Sequence, residues 1–163
     1  MREEEMETEE KINELVKKAV AANLDGLDFL ASFTYAQLAD GYNGIGPEML
    51  KAGLRARLTK YFDVFAPAAL GHDMRNELSD GTRASFVLAN YEFFVNCIKL
   101  ALRRYSWKNW KRYAALFAAW EAYKFVDGDV GWTAWLQAKE RHAAKMASGN
   151  PAWNKTPTEK EKQ

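Results

Sequence analysis

His72 and Asp73 are adjacent, and their adjacency limits what they can do together. They close the segment Pro67-Ala68-Ala69-Leu70-Gly71-His72-Asp73, which reads as helical. Neighbouring helical residues point about 100° apart, so imidazole and carboxylate cannot meet squarely on one atom. They can address two neighbouring species, such as a water and a metal ion. Histidine is a competent general base near neutral pH. A carboxylate beside loop carbonyls is a candidate calcium site, because calcium takes hard oxygen ligands. Such a loop, Asn43-Gly44-Ile45-Gly46-Pro47, lies about twenty-five residues upstream. Downstream comes Ala89-Asn90-Tyr91-Glu92-Phe93 on a second helical segment. The turn Ser79-Asp80-Gly81 lies close to midway between His72 and Asn90, so an antiparallel return brings the two level. The plainer alternative pairs Asp73 with Arg75 or Arg83 and leaves His72 a hydrogen-bonded core histidine.

Other chemistries lack their residues. There is no phosphate-binding Gly-x-x-x-x-Gly-Lys loop, no Gly-x-Ser-x-Gly elbow and no His-Glu-x-x-His pair. The single cysteine, Cys97, excludes an internal disulfide and every multi-cysteine zinc site. Two histidines, His72 and His142, argue against a His-rich metal cluster.

The elements that must position these residues read as helices, because apolar residues recur at three and four and no segment of length alternates. Expected helices run from about Glu4 to Asn23, with Ile12, Leu15, Val16, Ala19 and Val20 as an apolar stripe, and from Thr34 to Asp40. Further ones run from Pro47 to Phe62, from Pro67 to Leu78, and from Thr82 as cap to Tyr105. The last two run from a Ser106 cap over Trp107–Val126, and from Trp132 to Ala147. The fold class is therefore all-α, in a chain of 163 residues that suits one domain. Its parts are an acidic amphipathic helix over 1–24, a helical core over 25–147 and a flexible polar tail over 148–163. The first helix is a candidate face for self-association or a protein partner.

Lys plus Arg is 23 and Asp plus Glu 22, a net charge of +1, which argues against sequence-specific nucleic-acid binding. Yet Lys99, Arg103, Arg104, Lys108, Lys111 and Arg112 form a stretch of six bases without an acid. Such a run is usually a solvated face; the alternative is a surface for an anionic membrane or a partner. Trp107 with Trp110, and Trp132 with Trp135, share helix faces and read as core or groove packing, with membrane contact as the alternative. The acidic start is no signal peptide, and the longest unbroken apolar run, Tyr113–Trp120, is eight residues. These features lead us to expect a cytoplasmic protein, or one that leaves a cell only by lysis or inside a particle; the resemblance described next makes that a phage particle.

Taken in order, the glycine loop, the His-Asp helix and the facing helix resemble the phospholipase A2 superfamily, most of all its short bacterial and phage-encoded members. Those carry an Asn-Gly-Cys-Gly-Pro loop, a Cys-x-x-His-Asp helix and an Ala-Asp-x-x-Phe helix. The likeness covers about 55 of the 163 residues. It implies an antiparallel helix pair and loop of phospholipase A2 type, with extra C-terminal helices. It implies that His72 activates water for attack on a lipid ester. Calcium would bind Asp73 and carbonyls around Gly44 and Gly46, and Asn90 would occupy the place of the aspartate that orients the histidine. The family's two cysteines fall at Ile45 and Ala69, both apolar, so the disulfide is lost as a pair. Asn90 can accept a bond from imidazole but brings no charge to imidazolium; in the serine-protease triad the equivalent change lowers turnover about 10⁴-fold. The family's supporting tyrosine falls at Asn76, and Glu77 or Glu92 would have to substitute for the missing carboxylate. The resemblance thus implies a catalytically impaired protein with a structural or binding role. The alternatives are an active calcium-dependent phospholipid esterase and an unrelated helical interaction domain.

Overall fold

A computed structural model of the chain describes residues 3–42, 61–149 and 153. Its regular structure is all helical: α1 (Glu3–Ala21), a 3-10 turn (Asp28–Ser32), α2 (Tyr35–Gly41), α3 (Phe62–Glu77), α4 (Arg83–Arg104), α5 (Trp110–Val126) and α6 (Asp129–Ala147). Among the described residues there is no strand. The expected helix from Pro47 lies outside them, as do Gly44 and Gly46.

Local chemistry sets the boundaries. Thr34 and Gln37 form a reciprocal capping box at α2: the Gln37 amide donates to Thr34 Oγ1 and the Thr34 amide to Gln37 Oε1. Thr82 caps α4 by accepting from the Ser85 amide. Three expected starts are wrong. Pro67 does not open α3 but sits inside it, one turn in, because the Phe65 amide already bonds the Tyr61 carbonyl. Asn109, not Ser106, caps α5, by accepting from the Lys111 amide. The final helix begins at Asp129 rather than Trp132, since the Trp132 amide reaches back to the Gly128 carbonyl.

Helix α4 is the centre of the bundle, packed against α3 on one side and α5 on the other. Phe65, Ala68 and Ala69 of α3 meet Phe93, Cys97 and Ala101 of α4 and Ala115, Ala118, Ala119 and Ala122 of α5. By length and composition α4 is the one described helix able to cross a membrane, but it is also the core helix and buries Asn90 and Asn96. A second cluster joins Ile12 and Leu15 of α1 to Leu38, Leu70 and Met74. The apolar stripe of α1 is therefore packed into the chain's own core. Val20 is the exception, expected in that stripe and found exposed.

Trp153, expected in a flexible tail, is buried in this second cluster. Its indole donates to Asp40 Oδ2 at 2.7 Å and meets Phe33 and His142 edge-on. The two tryptophan pairs part company. Trp132 and Trp135 pack on Phe86, whereas Trp107 and Trp110 stand in solvent.

Between α5 and α6 the chain turns so tightly that a Cβ on Gly131 would overlap the Val126 carbonyl oxygen. Glycine there lets α6 close over the end of α5 and over the site described next.

Candidate functional site

The antiparallel pairing of α3 and α4 sets His72 opposite Asn90, with His72 Nε2 2.9 Å from Asn90 Oδ1. The tautomer follows from the other half of the amide. Asn90 Nδ2 faces two acceptors, the Val126 carbonyl at 3.3 Å and Asp127 Oδ1 at 3.1 Å. An NH₂ group must point at acceptors, so the carbonyl oxygen points at His72, and Nε2 carries the ring proton. Nδ1 is then the nitrogen with the free lone pair. It lies 3.9 Å from Asp73 Oδ1, beyond hydrogen-bond distance, and both side chains are largely buried. Phe93 packs against the imidazole, with ring centroids 4.9 Å apart.

Sequence reasoning missed Asp127, read there only as part of a helix break. An acid at the C-terminal end of a helix opposes the helix dipole, and that was the available signal. The structure gives its compensation: Asp127 accepts from the Asn90 amide and from the Tyr123 phenol. Burial, then this carboxylate, raises Tyr123 above the ordinary phenol value. A chain Tyr123–Asp127–Asn90–His72 results, in which the negative charge stands one residue behind the histidine's direct partner.

The carboxylates offered as substitutes do not reach His72. Glu92 makes a two-pronged pair with Arg75 at 3.0 and 3.2 Å, and Arg75 also holds the Gly26 carbonyl. Glu77 takes Lys145 at 2.9 Å and lies 3.6 Å from His142. The cations proposed as partners for Asp73 are also occupied elsewhere: Arg75 by Glu92, and Arg83 over the Phe86 and Trp132 rings. Asp73 instead lies within electrostatic reach of Tyr42, whose phenol is pushed up to about 12 by burial, then Asp73, then Asp63.

On the Asn90 side, a cavity of about 100 Å³ is lined by His72, Asn76, Asn90, Phe86, Val126 and Trp135, among others. It is large enough to admit water. Two lining residues hold buried polar atoms without a protein partner, the acceptor Asn76 Oδ1 and the donor Trp135 Nε1. Asn76 stands where the resemblance expects a tyrosine.

Among the described residues no three His, Cys, Asp or Glu side chains are grouped to hold a metal ion. Asp73 offers one carboxylate, at most two oxygens, against the six to eight that calcium takes. The other implied donors, at Gly44 and Gly46, lie outside the described residues.

Of the six predicted surface bases, Lys99 is already committed. Its ammonium lies 2.6 Å from Asp25 and 3.0 Å from the Asn23 carbonyl. Arg103, Arg104, Lys108 and Lys111 are exposed and Arg112 half-buried, with no ion pair to any of them among the described residues.

No family model matches this chain, and no curated protein or solved structure shows significant similarity to it.

Proposed function

We propose that this chain is a phospholipase A2-like helical protein in which His72 serves as general base for ester hydrolysis, at a rate held down by Asn90. The observation that carries the reading is the His72–Asn90 bond, with the amide oriented by Val126 and Asp127. It leaves Nδ1 unprotonated on the side where Asp73 stands. As water attacks an ester carbonyl, its oxygen bonds the carbon and its proton passes to Nδ1. The proton then leaves with the alkoxide as the alcohol. Between those events the ring is an imidazolium, and its Nε2–H faces the Asn90 carbonyl dipole. Asp127, bound to the far end of that amide, polarises it in the stabilising direction. A charge acting through an amide is weaker than one in direct contact, so a slow enzyme is the expectation.

Calcium, when bound at Asp73, would polarise the ester carbonyl. A single described carboxylate does not make a calcium site, so the proton chemistry above rests on His72 and its partners alone.

The test is calcium-dependent fatty-acid release from mixed anionic vesicles by wild type and His72→Ala. Release that requires His72 supports hydrolysis. Equal traces from two folded proteins would overturn it and favour the second reading, a structural or binding role. That reading draws on the neutral side chain in direct contact with the base.

A further inference from the structure

Helix α5 is built inside out. The residues it turns to the core are small: Ala115, Ala118, Ala119 and Ala122. Those it turns to solvent are large and aromatic: Trp110, Tyr113, Phe117 and Trp120 are 70, 62, 52 and 45% exposed. Their spacing of three, four and three keeps them on one face. A helix facing water normally shows the reverse pattern. Trp107, in the turn before α5, is 66% exposed and extends the stripe. At the other end Trp120 meets Phe94 of α4 at 5.8 Å, which joins the stripe to exposed Tyr91 on that helix.

The charge along this part of the chain has one sign, although Asp63 of α3 lines the same groove as Arg103 and Arg104. From Phe93 to Trp120 there are six bases and no acid. With Lys99 paired to Asp25, Arg103, Arg104, Lys108, Lys111 and Arg112 remain, all at the corner where α4 gives way to α5. The corner is also preorganised. Tyr113 donates to the Trp107 carbonyl at 3.3 Å, and the Lys108 ammonium sits 5.2 Å from the Trp107 ring centre.

We propose that the α4–α5 corner and the outward face of α5 form a docking surface for an anionic lipid bilayer. Tryptophan and tyrosine partition to the membrane interface, where an apolar ring and a polar edge are both satisfied. Basic residues near an anionic leaflet are drawn to its surface charge. Charge complementarity selects this occupant over a second copy. A two-fold interface would gather ten bases from the two corners, and Asp63, which lines the groove of Arg103 and Arg104, supplies one acid per copy against them. The corner that carries the bases is apart from the His72 site, although Trp120 at the far end of the stripe lies six residues before Val126. Trp110 lies 16 residues before Val126, the Asn90 partner, or about 24 Å along the helix. The inference therefore does not rest on the hydrolytic reading.

Co-sedimentation of the full chain with vesicles of equal parts phosphatidylcholine and phosphatidylglycerol tests it, with tryptophan emission read on the same samples. Binding with a blue shift is expected, and much weaker binding to phosphatidylcholine alone. Lys108→Glu with Lys111→Glu should lower affinity at least tenfold, as should Trp107→Ser with Trp110→Ser. All four positions are exposed, so thermal midpoints should stay near wild type. No vesicle binding, or binding indifferent to both double variants, would overturn the proposal. So would a single-stranded oligonucleotide binding more tightly than the vesicles, or a concentration-dependent dimer that Trp107→Ser with Trp110→Ser abolishes.

Discussion

Asn90 hands the charge of Asp127 to His72: its amide nitrogen donates to Asp127 Oδ1 at 3.1 Å while its oxygen meets His72 Nε2 at 2.9 Å. A neutral residue beside a histidine would ordinarily leave an imidazolium without help. Here the carboxylate is present but displaced by one residue, on the turn that ends α5.

The arrangement predicts a rescue. Asn90→Asp alone sets a buried carboxylate against two acceptors, the Val126 carbonyl and Asp127, and should cost roughly 2–4 kcal/mol of stability. Adding Asp127→Asn exchanges amide and carboxylate, so most of that loss should return. Urea unfolding of the two single variants and the double variant measures the coupling. If His72 is a base in ester hydrolysis, the double variant should also release fatty acid faster than wild type.

Gly131 holds α6 against the site. Gly131→Ala places a methyl group where the Val126 carbonyl oxygen already stands. The turn must open, at about 1–3 kcal/mol, and the thermal midpoint should fall. Because Val126 also accepts from Asn90, His72 ring signals in NMR spectra should move although His72 is untouched.

The docking of Trp153 should depend on acid. Burial alone would raise the Asp40 carboxyl, but bonds from the Trp153 indole and the Lys145 ammonium outweigh it and hold Asp40 below its ordinary value. A depressed carboxylate contributes stability above its unfolded value, about 3.9, and loses it as pH falls through the folded value. Trp153 should therefore undock below about pH 4, read as a red shift of its emission against Trp153→Phe. Trp153→Ala should cost about 3 kcal/mol at neutral pH.

Tyr42 should give the opposite dependence. With its phenol pushed up to about 12, the native state favours the neutral form. That contribution is complete below the ordinary phenol value, about 10, and is lost as pH rises from there towards 12. Denaturant unfolding near pH 8 and near pH 11 should show wild type losing more stability than Tyr42→Phe.

The sequence by itself determined the helices, because three-four periodicity, Thr34 and Thr82 as caps and the Ser79–Gly81 turn are local signals. It also placed His72 level with Asn90, since a tight turn between two helices sets their register by counting. Helix starts were less legible where two capping residues compete, as Ser106 and Asn109 do, or where a proline is tolerated one turn inside a helix, as Pro67 is. The rest was decided by contacts between distant parts of the chain. Asp127 lies 37 positions from Asn90, and no pattern along the chain announces that the turn after α5 folds onto α4. Trp153 finds Asp40 across 113 positions from a segment whose composition reads as tail. The inverted face of α5 was equally hidden: composition supplies alanines and aromatics in one helix, and only packing against α4 chooses which of them turns outward. Local free energies of capping and turn formation act over three or four residues and can be read from sequence. The free energy that seats an indole on a carboxylate or buries alanine in preference to tryptophan exists only once the helices have met.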